Sequence, residues 1–144
     1  MIRNKSLFYL LSFTWGLPMT LVGCVVGAIL KAMGHKPKKW GYCYYFEVGE
    51  NWGGVNLGPI FITSKNPTSS TKSHEHGHAF QNCKFGFLMP FVVSIPSAIR
   101  YWHRVFSAKA GNPIKTSYYS AWFESEASTL GKEFINWYNT QQND

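Results

Sequence analysis

The residues most able to do chemistry in this chain are His74 and His78, which belong to the sequence HEHGH. On a helix, residues four positions apart lie on the same face one turn apart, so both imidazoles can bind one metal ion. Glu75 is rotated from that line but stays close enough to take a proton from a water that the metal activates. The pattern predicts a zinc site with Glu75 as the catalytic base.

A third protein ligand is required, because a catalytic zinc ion usually has three protein ligands and one open position. No third histidine follows HEHGH at the spacing H-x-x-G-x-x-H. We expect the third ligand on a C-terminal helix of about residues 116–138, where apolar residues recur at helical spacing: Tyr119, Phe123, Ala127, Leu130, Phe134 and Trp137.

Glu124 and Glu126 are the two candidates for this ligand. The helical neighbours of Glu124 are all small, namely Ser120, Ala127, Ser128 and Gly131. A second helix can approach such a face closely, as a shared metal ion demands. The neighbours of Glu126 are mostly bulky: Tyr119, Trp122, Leu130 and Glu133. We therefore favour Glu124 and keep Glu126 as the alternative.

HEHGH together with the later sequence ESEA, which begins at Glu124, resembles the gluzincin class of zinc metallopeptidases. The resemblance implies Zn²⁺ as the cofactor, Glu124 as the third ligand, and hydrolysis of peptide or protein substrates. Many gluzincins place Asp after the alanine to orient a ligand histidine, and Ser128 occupies that position here. Most of the chain also resembles a small bacterial family of predicted membrane-linked proteins, through WGGVNLGPIFI, HEHGHAFQN, LMPFVVSIPSAIRYW and YYSAWFESEASTLG.

Two stretches of aromatic and β-branched residues precede the motif. Residues 40–48 and 55–63 predict the strands of a β-hairpin, with turn residues between them and Pro59 at an edge or bulge. The polar connector 64–73 offers N-cap residues for the HEHGH helix. The expected fold is α+β: a minimal gluzincin-like domain in which a β-hairpin or small antiparallel sheet packs on the HEHGH helix and the C-terminal helix, preceded by an apolar N-terminal helix.

Residues 7–30 carry no charge and have basic residues on both sides. This length is sufficient for a membrane-spanning helix, which Pro18 would kink or break, and Gly23 and Gly27 would let another helix approach closely. The alternatives are a buried helix of a soluble domain and a processed signal, including a lipobox-like LVGC that ends at Cys24. We expect a membrane-type segment over 1–39 and a zinc-binding domain over 40–144.

The net charge of +7 favours an anionic partner, either nucleic acid or a lipid surface. The basic residues form no nucleic-acid-binding signature, and their densest cluster follows the apolar segment 7–30. We therefore expect no nucleic-acid partner, a membrane-associated protein and a cytoplasmic catalytic domain. Three cysteines without close pairing predict reduced thiols.

A second apolar stretch, residues 85–99, contains two prolines and is too short for an ordinary membrane span. It could be a core segment, a re-entrant loop or a surface that dips into lipid. The residues that could stabilise an oxyanion during hydrolysis are Arg100, His103, Tyr118 and Tyr119. The alternative function is a zinc-stabilised membrane or interaction protein without catalysis.

Overall fold

The computed structural model describes residues 1–141, and this part of the chain contains five α-helices and one four-stranded sheet. The helices are α1 (Lys5–Phe13), α2 (Leu17–Ala32), α3 (Ser69–Phe85), α4 (Ile95–Lys109) and α5 (Trp122–Thr140). The strands are β1 (Lys38–Trp40), β2 (Cys43–Glu47), β3 (Gly54–Leu57) and β4 (Ile60–Thr63). Short 3₁₀ turns lie at Gly86–Leu88 and Tyr118–Ser120, and a π turn at Pro90–Ser94. The α+β class is confirmed.

The sheet is mixed, with strand order β1-β2-β4-β3. Strands β1 and β2 pair antiparallel, β3 and β4 pair antiparallel, and β2 and β4 pair in parallel. The prediction of one antiparallel hairpin from 40–48 and 55–63 is therefore wrong, because turns at residues 41–42 and 58–59 divide this part of the chain into four strands. The second turn is closed by Asn56, whose side chain accepts from the backbone N–H of Gly58 and donates to its carbonyl, both at 2.9 Å. Gly58 has a φ of 74°, which favours glycine.

The apolar N-terminal segment is two helices rather than one, since α1 and α2 meet at 93°. Pro18 lies in the first turn of α2, where its missing N–H leaves no helical hydrogen bond unmade. The sequence predicts that Gly23 and Gly27 pack against another helix. In the structure these two residues of α2 pack against the sheet instead. A Cβ on Gly23 would lie 2.2 Å from the carbonyl oxygen of Leu57, and one on Gly27 would touch Phe46.

Among the described residues, no individual helix combines the length and the apolar character needed to cross a membrane. Two pairs of helical segments reach this length and apolar character when the two members of each pair are taken together. Both pairs are sharply bent, by 93° between α1 and α2 and by 117° between Ser69–Leu88 and Pro90–Lys109.

Helix α3, which carries HEHGH, lies at the centre of the fold. Thr68 caps its first turn by accepting a hydrogen bond from the backbone N–H of Thr71 at 3.1 Å, as the polar connector predicts. The helix packs against α5, α1 and the sheet. Its residue Phe80 belongs to a core cluster with Phe8 of α1, Phe61 of β4 and Phe134 of α5. The N-terminal helix thus contributes to the same core as the HEHGH helix.

Helix α5 begins at Trp122 and not near residue 116 as predicted. The preceding segment is held in another conformation by two arginines of α4. Arg100 donates to the carbonyl oxygens of Ser117 and Tyr118, and Arg104 donates to those of Ile114 and Thr116. These contacts hold the backbone of the segment in place before α5 begins.

Candidate metal centre

Three side chains from α3 and α5 converge on one point. The Nε2 atoms of His74 and His78 lie 3.2 Å apart. The Oε2 atom of Glu124 lies 3.0 Å from Nε2 of His74 and 3.4 Å from Nε2 of His78. All three residues are buried, and within the described part of the chain they form a group that could hold a metal ion.

The orientation of His78 is fixed by Gln81, one turn further along α3. Gln81 donates from Nε2 to the carbonyl oxygen of Phe123 and to Oε2 of Glu126, both at 2.8 Å. Its Oε1 atom must therefore face Nδ1 of His78, 2.7 Å away, and accept the proton of that nitrogen. A neutral His78 consequently presents a bare lone pair on Nε2 to the centre of the group.

Glu126, the alternative third ligand, lies outside the group. It binds the amide of Gln81 and forms an ion pair with Lys84. Glu126 therefore acts on the site indirectly: it holds the amide of Gln81, and Gln81 orients His78.

The orientation of His74 is fixed by Ser128, whose Oγ lies 2.9 Å from Nδ1 of His74. The short side chain of Ser128 on α5 reaches this ring nitrogen directly. The ring of Tyr119 meets the His74 ring edge to face, with 5.1 Å between centroids. Both histidines thus use Nδ1 for a hydrogen bond and turn Nε2 inward, as metal-ligating histidines do.

Glu124 is held from the opposite side by helix α4. Ser97 donates a hydrogen bond to Oε1 of Glu124, and the hydroxyl of Tyr118 lies 2.7 Å from that of Ser97. Burial alone would raise the pKa of Glu124, but the close Nε2 atoms of His74 and His78 and the hydrogen bond from Ser97 outweigh it and hold the pKa well below its usual range. The carboxylate is therefore ionised, with Oε1 occupied and Oε2 directed at the histidines.

The three facing atoms do not satisfy one another's hydrogen-bonding capacity, and their spacing suits a shared cation. Glu124 Oε2 is buried and makes no hydrogen bond of good geometry, and two imidazole nitrogens face each other at 3.2 Å. Zinc bonds to nitrogen and oxygen are about 2.0–2.2 Å long, which places tetrahedral ligand atoms about 3.3–3.5 Å apart. The three observed separations lie within a few tenths of an ångström of that spacing. Without a cation, protonation of His78 is the compensation available: burial lowers its pKa, but the close carboxylate of Glu124 and the negative charge of Glu75 raise it overall.

Glu75 lies beside the group without belonging to it. Its side chain is buried, and its Oε1 atom would be 2.6 Å from a Cβ added to Gly54 of β3. Its Oε2 atom is buried without a hydrogen-bond partner among the described residues. Burial raises the pKa of Glu75, and the nearby charges of His78 and His74 only partly offset this. A carboxylate with a raised pKa and a free oxygen is equipped to accept a proton.

Small residues let the two ligand-bearing helices meet. A Cβ on Gly77 of α3 would lie 1.8 Å from the carbonyl oxygen of Ala127, and a Cβ on Gly131 of α5 would lie 1.8 Å from that of Ser73. The small face around Glu124, which favoured this residue in the sequence, is the face on which α5 contacts α3.

The four candidates for stabilising an oxyanion occupy different positions. Tyr119 is half exposed and contacts His74, and the Tyr118 hydroxyl bonds to Ser97. Arg100 is engaged with the backbone of Ser117 and Tyr118, and His103 is exposed on α4. Of these, only the two tyrosines contact members of the site.

Two site residues, Gln81 and Ser97, were not predicted. Gln81 could have been found from the sequence, because it lies three residues after His78 on one helix and a ligand histidine needs a partner for its second nitrogen. Ser97 belongs to another helix, and no spacing in the sequence relates it to Glu124.

Compared with protein-family models, with curated proteins and with solved structures, the chain matches none of them. The functional argument therefore depends on the geometry of the site and on the chemistry of its residues.

Proposed function

We propose that this chain is a zinc-dependent hydrolase of peptide bonds with a gluzincin-like site, in which His74, His78 and Glu124 hold the metal and Glu75 is the base. The observation that supports this most is the convergence of two imidazole Nε2 atoms and one carboxylate oxygen within 3.4 Å. Two nitrogen ligands and one oxygen ligand form a donor set typical of catalytic zinc, which keeps its fourth position open.

The residues of the site have different roles in the proposed reaction. A bound zinc ion would supply a Lewis acid that polarises a carbonyl group and lowers the pKa of water. Glu75 accepts the proton that the attacking water loses, since its buried carboxylate has a raised pKa and a free Oε2 atom. Ser128, Gln81 and Ser97 keep the three ligands in place, so that little reorganisation is needed during the reaction.

The sheet supports an extended peptide as the substrate. Strand β3 is the last strand of the sheet and pairs only with β4 among the described residues, and an extended peptide can add to such an edge. Its first residue, Gly54, lies against the carboxylate of Glu75. A peptide paired with β3 would therefore pass close to the base, and its main-chain hydrogen bonds would hold it extended.

The alternative is a metal site that stabilises the protein without catalysis. It is favoured by burial: Glu124 is fully buried, and the side chains of His74 and His78 keep only 10% and 8% of their exposure. A structural site needs no access for substrate, whereas a hydrolase must admit a peptide to the histidine side of the group.

Metal content and hydrolysis measured on the same variants separate these functions. We expect wild type to bind one zinc ion, and His74→Ala, His78→Ala and Glu124→Ala to lose it. Glu133→Ala, an exposed carboxylate of α5, is the control that should retain the metal. Retention of stoichiometric zinc by the three ligand variants would refute the site.

Glu75→Gln isolates the catalytic step. We expect this variant to keep zinc and to lose cleavage of a broad peptide library, because the amide cannot accept the proton. Hydrolysis at the wild-type rate would refute the assigned base. Wild-type protein that binds zinc and cleaves nothing in the library would favour the structural alternative.

A further inference from the structure

Helix α4 exposes an apolar face and buries no residue completely. Ile95, Ile99, Trp102 and Phe106 recur at a spacing of four, three and four residues, which places them on one side of the helix. Their exposed fractions are 48%, 65%, 53% and 60%. A helix in a folded protein normally turns such a side towards the core, so this face lacks a partner within the described residues.

The opposite side of α4 is attached to the protein through polar contacts. Ser97 bonds to Glu124, while Arg100 and Arg104 bond to backbone carbonyl groups of the segment before α5. These contacts fix the rotation of the helix about its axis. The apolar side cannot turn inward without breaking them.

The exposed apolar side chains continue beyond α4 to the end of α3. Phe91 lies in the π turn that leads into α4 and is 69% exposed, and Phe87 and Leu88 precede it at 51% and 56%. The ring of Trp15, between α1 and α2, contacts Phe87 with 5.3 Å between centroids and is itself 44% exposed. We call these four residues and the apolar side of α4 the apolar surface.

The charges in the same part of the chain are all positive. Residues 76–123 contain no Asp or Glu but five basic residues, Lys84, Arg100, Arg104, Lys109 and Lys115, of which Lys84 is paired with Glu126 of α5. Because Arg100 and Arg104 donate to carbonyl oxygens and not to carboxylates, their charges are not neutralised by their partners.

Exposed apolar side chains next to basic residues favour a membrane over a second copy of the chain as the partner of this surface. If two copies paired through it symmetrically, the same basic segments would face each other, and like charges across an interface are unfavourable. An anionic lipid bilayer offers acyl chains to the apolar side chains and negative headgroups to the basic residues. Trp102 and Lys109 suit the boundary between these layers.

We propose that the apolar surface docks on an anionic membrane, with α4 lying along the bilayer plane and its polar side facing the metal centre. The inference concerns the outside of α4 and does not depend on zinc or on hydrolysis. It assigns membrane association to a surface made of two bent helical segments.

Sedimentation with phospholipid vesicles tests the proposal on the full chain. We expect wild type to bind vesicles that contain phosphatidylglycerol, and to bind pure phosphatidylcholine vesicles much more weakly. Ile99→Glu and Phe106→Glu should each weaken binding at least about tenfold. Each removes an apolar side chain that would insert into the bilayer, and each adds a negative charge that anionic headgroups repel. Tyr44→Glu is the matched control: Tyr44 is 47% exposed on β2, outside the apolar surface, and its change in charge is the same.

The position of α4 in the bilayer has its own readout. Brominated lipids should quench the fluorescence of wild type, and Trp102→Phe should lose a measurable share of that quenching. Failure of wild type to bind anionic vesicles would overturn the proposal, as would equal losses in Tyr44→Glu and Ile99→Glu. A lipid-free dimer that Ile99→Glu dissociates, without vesicle binding by wild type, would assign the surface to a second copy instead.

Discussion

Replacing Gly131 by alanine perturbs the contact that holds the two ligand-bearing helices together. In Gly131→Ala the new Cβ would lie 1.8 Å from the carbonyl oxygen of Ser73, the residue before His74. Cβ atoms essentially never approach other heavy atoms closer than 3.0 Å. The contact must therefore widen from 1.8 to at least 3.0 Å, which moves α5 and α3 apart by more than 1 Å at this point.

Such a displacement exceeds what a metal site tolerates, because ligand distances vary by only about 0.2 Å around their preferred values. We expect zinc affinity to fall at least about 100-fold, which corresponds to about 2.7 kcal/mol. Overpacking should also lower the free energy of unfolding of the metal-free protein by about 1–3 kcal/mol. At an exposed helical position the same change would raise stability by about 0.5–1 kcal/mol, so the sign of the effect is diagnostic.

Zinc affinity is measured by competition with a chromophoric chelator, and stability by urea unfolding in the presence of EDTA. Ser125→Ala, on the exposed side of α5, is the control that improves helix propensity without touching α3. If Gly131→Ala binds zinc like wild type and unfolds at the same or a higher urea concentration, the close contact between the helices does not exist as described.

Three further predictions use the surroundings of the site. Gln81→Ala and Ser128→Ala each remove the hydrogen-bond partner of a ligand histidine and should lower zinc affinity about 10- to 100-fold in the same competition assay, and unchanged affinity would contradict their orienting role. Gly54→Ala places a Cβ 2.6 Å from Oε1 of Glu75 and should reduce peptide hydrolysis while metal content stays at the wild-type level; full activity would show that the carboxylate does not depend on this contact. Burial lowers the pKa of His76 to about 3, so between that value and the ordinary value near 6.5 the unfolded chain binds the extra proton and stability falls as the pH falls. By pH 5 His76 alone should contribute a loss of about 2 kcal/mol in EDTA, and His76→Gln should show a smaller loss across the same range in denaturant titrations.

The meeting of the metal-binding side chains could be predicted because it follows from spacing and size. Two histidines four apart on a helix share a face whatever the rest of the chain does. The preference for Glu124 over Glu126 came from the small residues near it, and the structure shows why size decides: Gly131 lies against the backbone of Ser73. A bulky face would have kept the helices too far apart for one ion.

The sheet was predicted incorrectly because its turns were read as strand residues. The sequence VNLGPIFIT looks like one extended strand with a bulge, but its Gly-Pro pair turns the chain back on itself. The side chain of Asn56 closes that turn. The parallel pairing of β2 with β4 then follows from the two turns together, and neither strand shows it alone.

The beginning of α5 could not be predicted from local sequence. Residues 116–121 have no strong helix breaker after Pro113, yet they are not α-helical. The arginines that hold their backbone are on α4, more than ten residues earlier, and the serine that fixes Glu124 belongs to the same helix. Contacts of this kind depend on how α4 leaves the π turn, which the hydrophobic pattern does not specify.

The burial of the central part of α3 has a consequence for how this chain can change. Eleven consecutive residues, from Ser73 to Cys83, are buried around the whole circumference of the helix. A helix with one side in water can accept neutral substitutions at every third or fourth position, but this segment has no such side. Substitutions in this segment should therefore be poorly tolerated at every position, without the three-to-four-residue period of a half-exposed helix. Packing alone would preserve the spacing of HEHGH, whether or not a metal ion binds there.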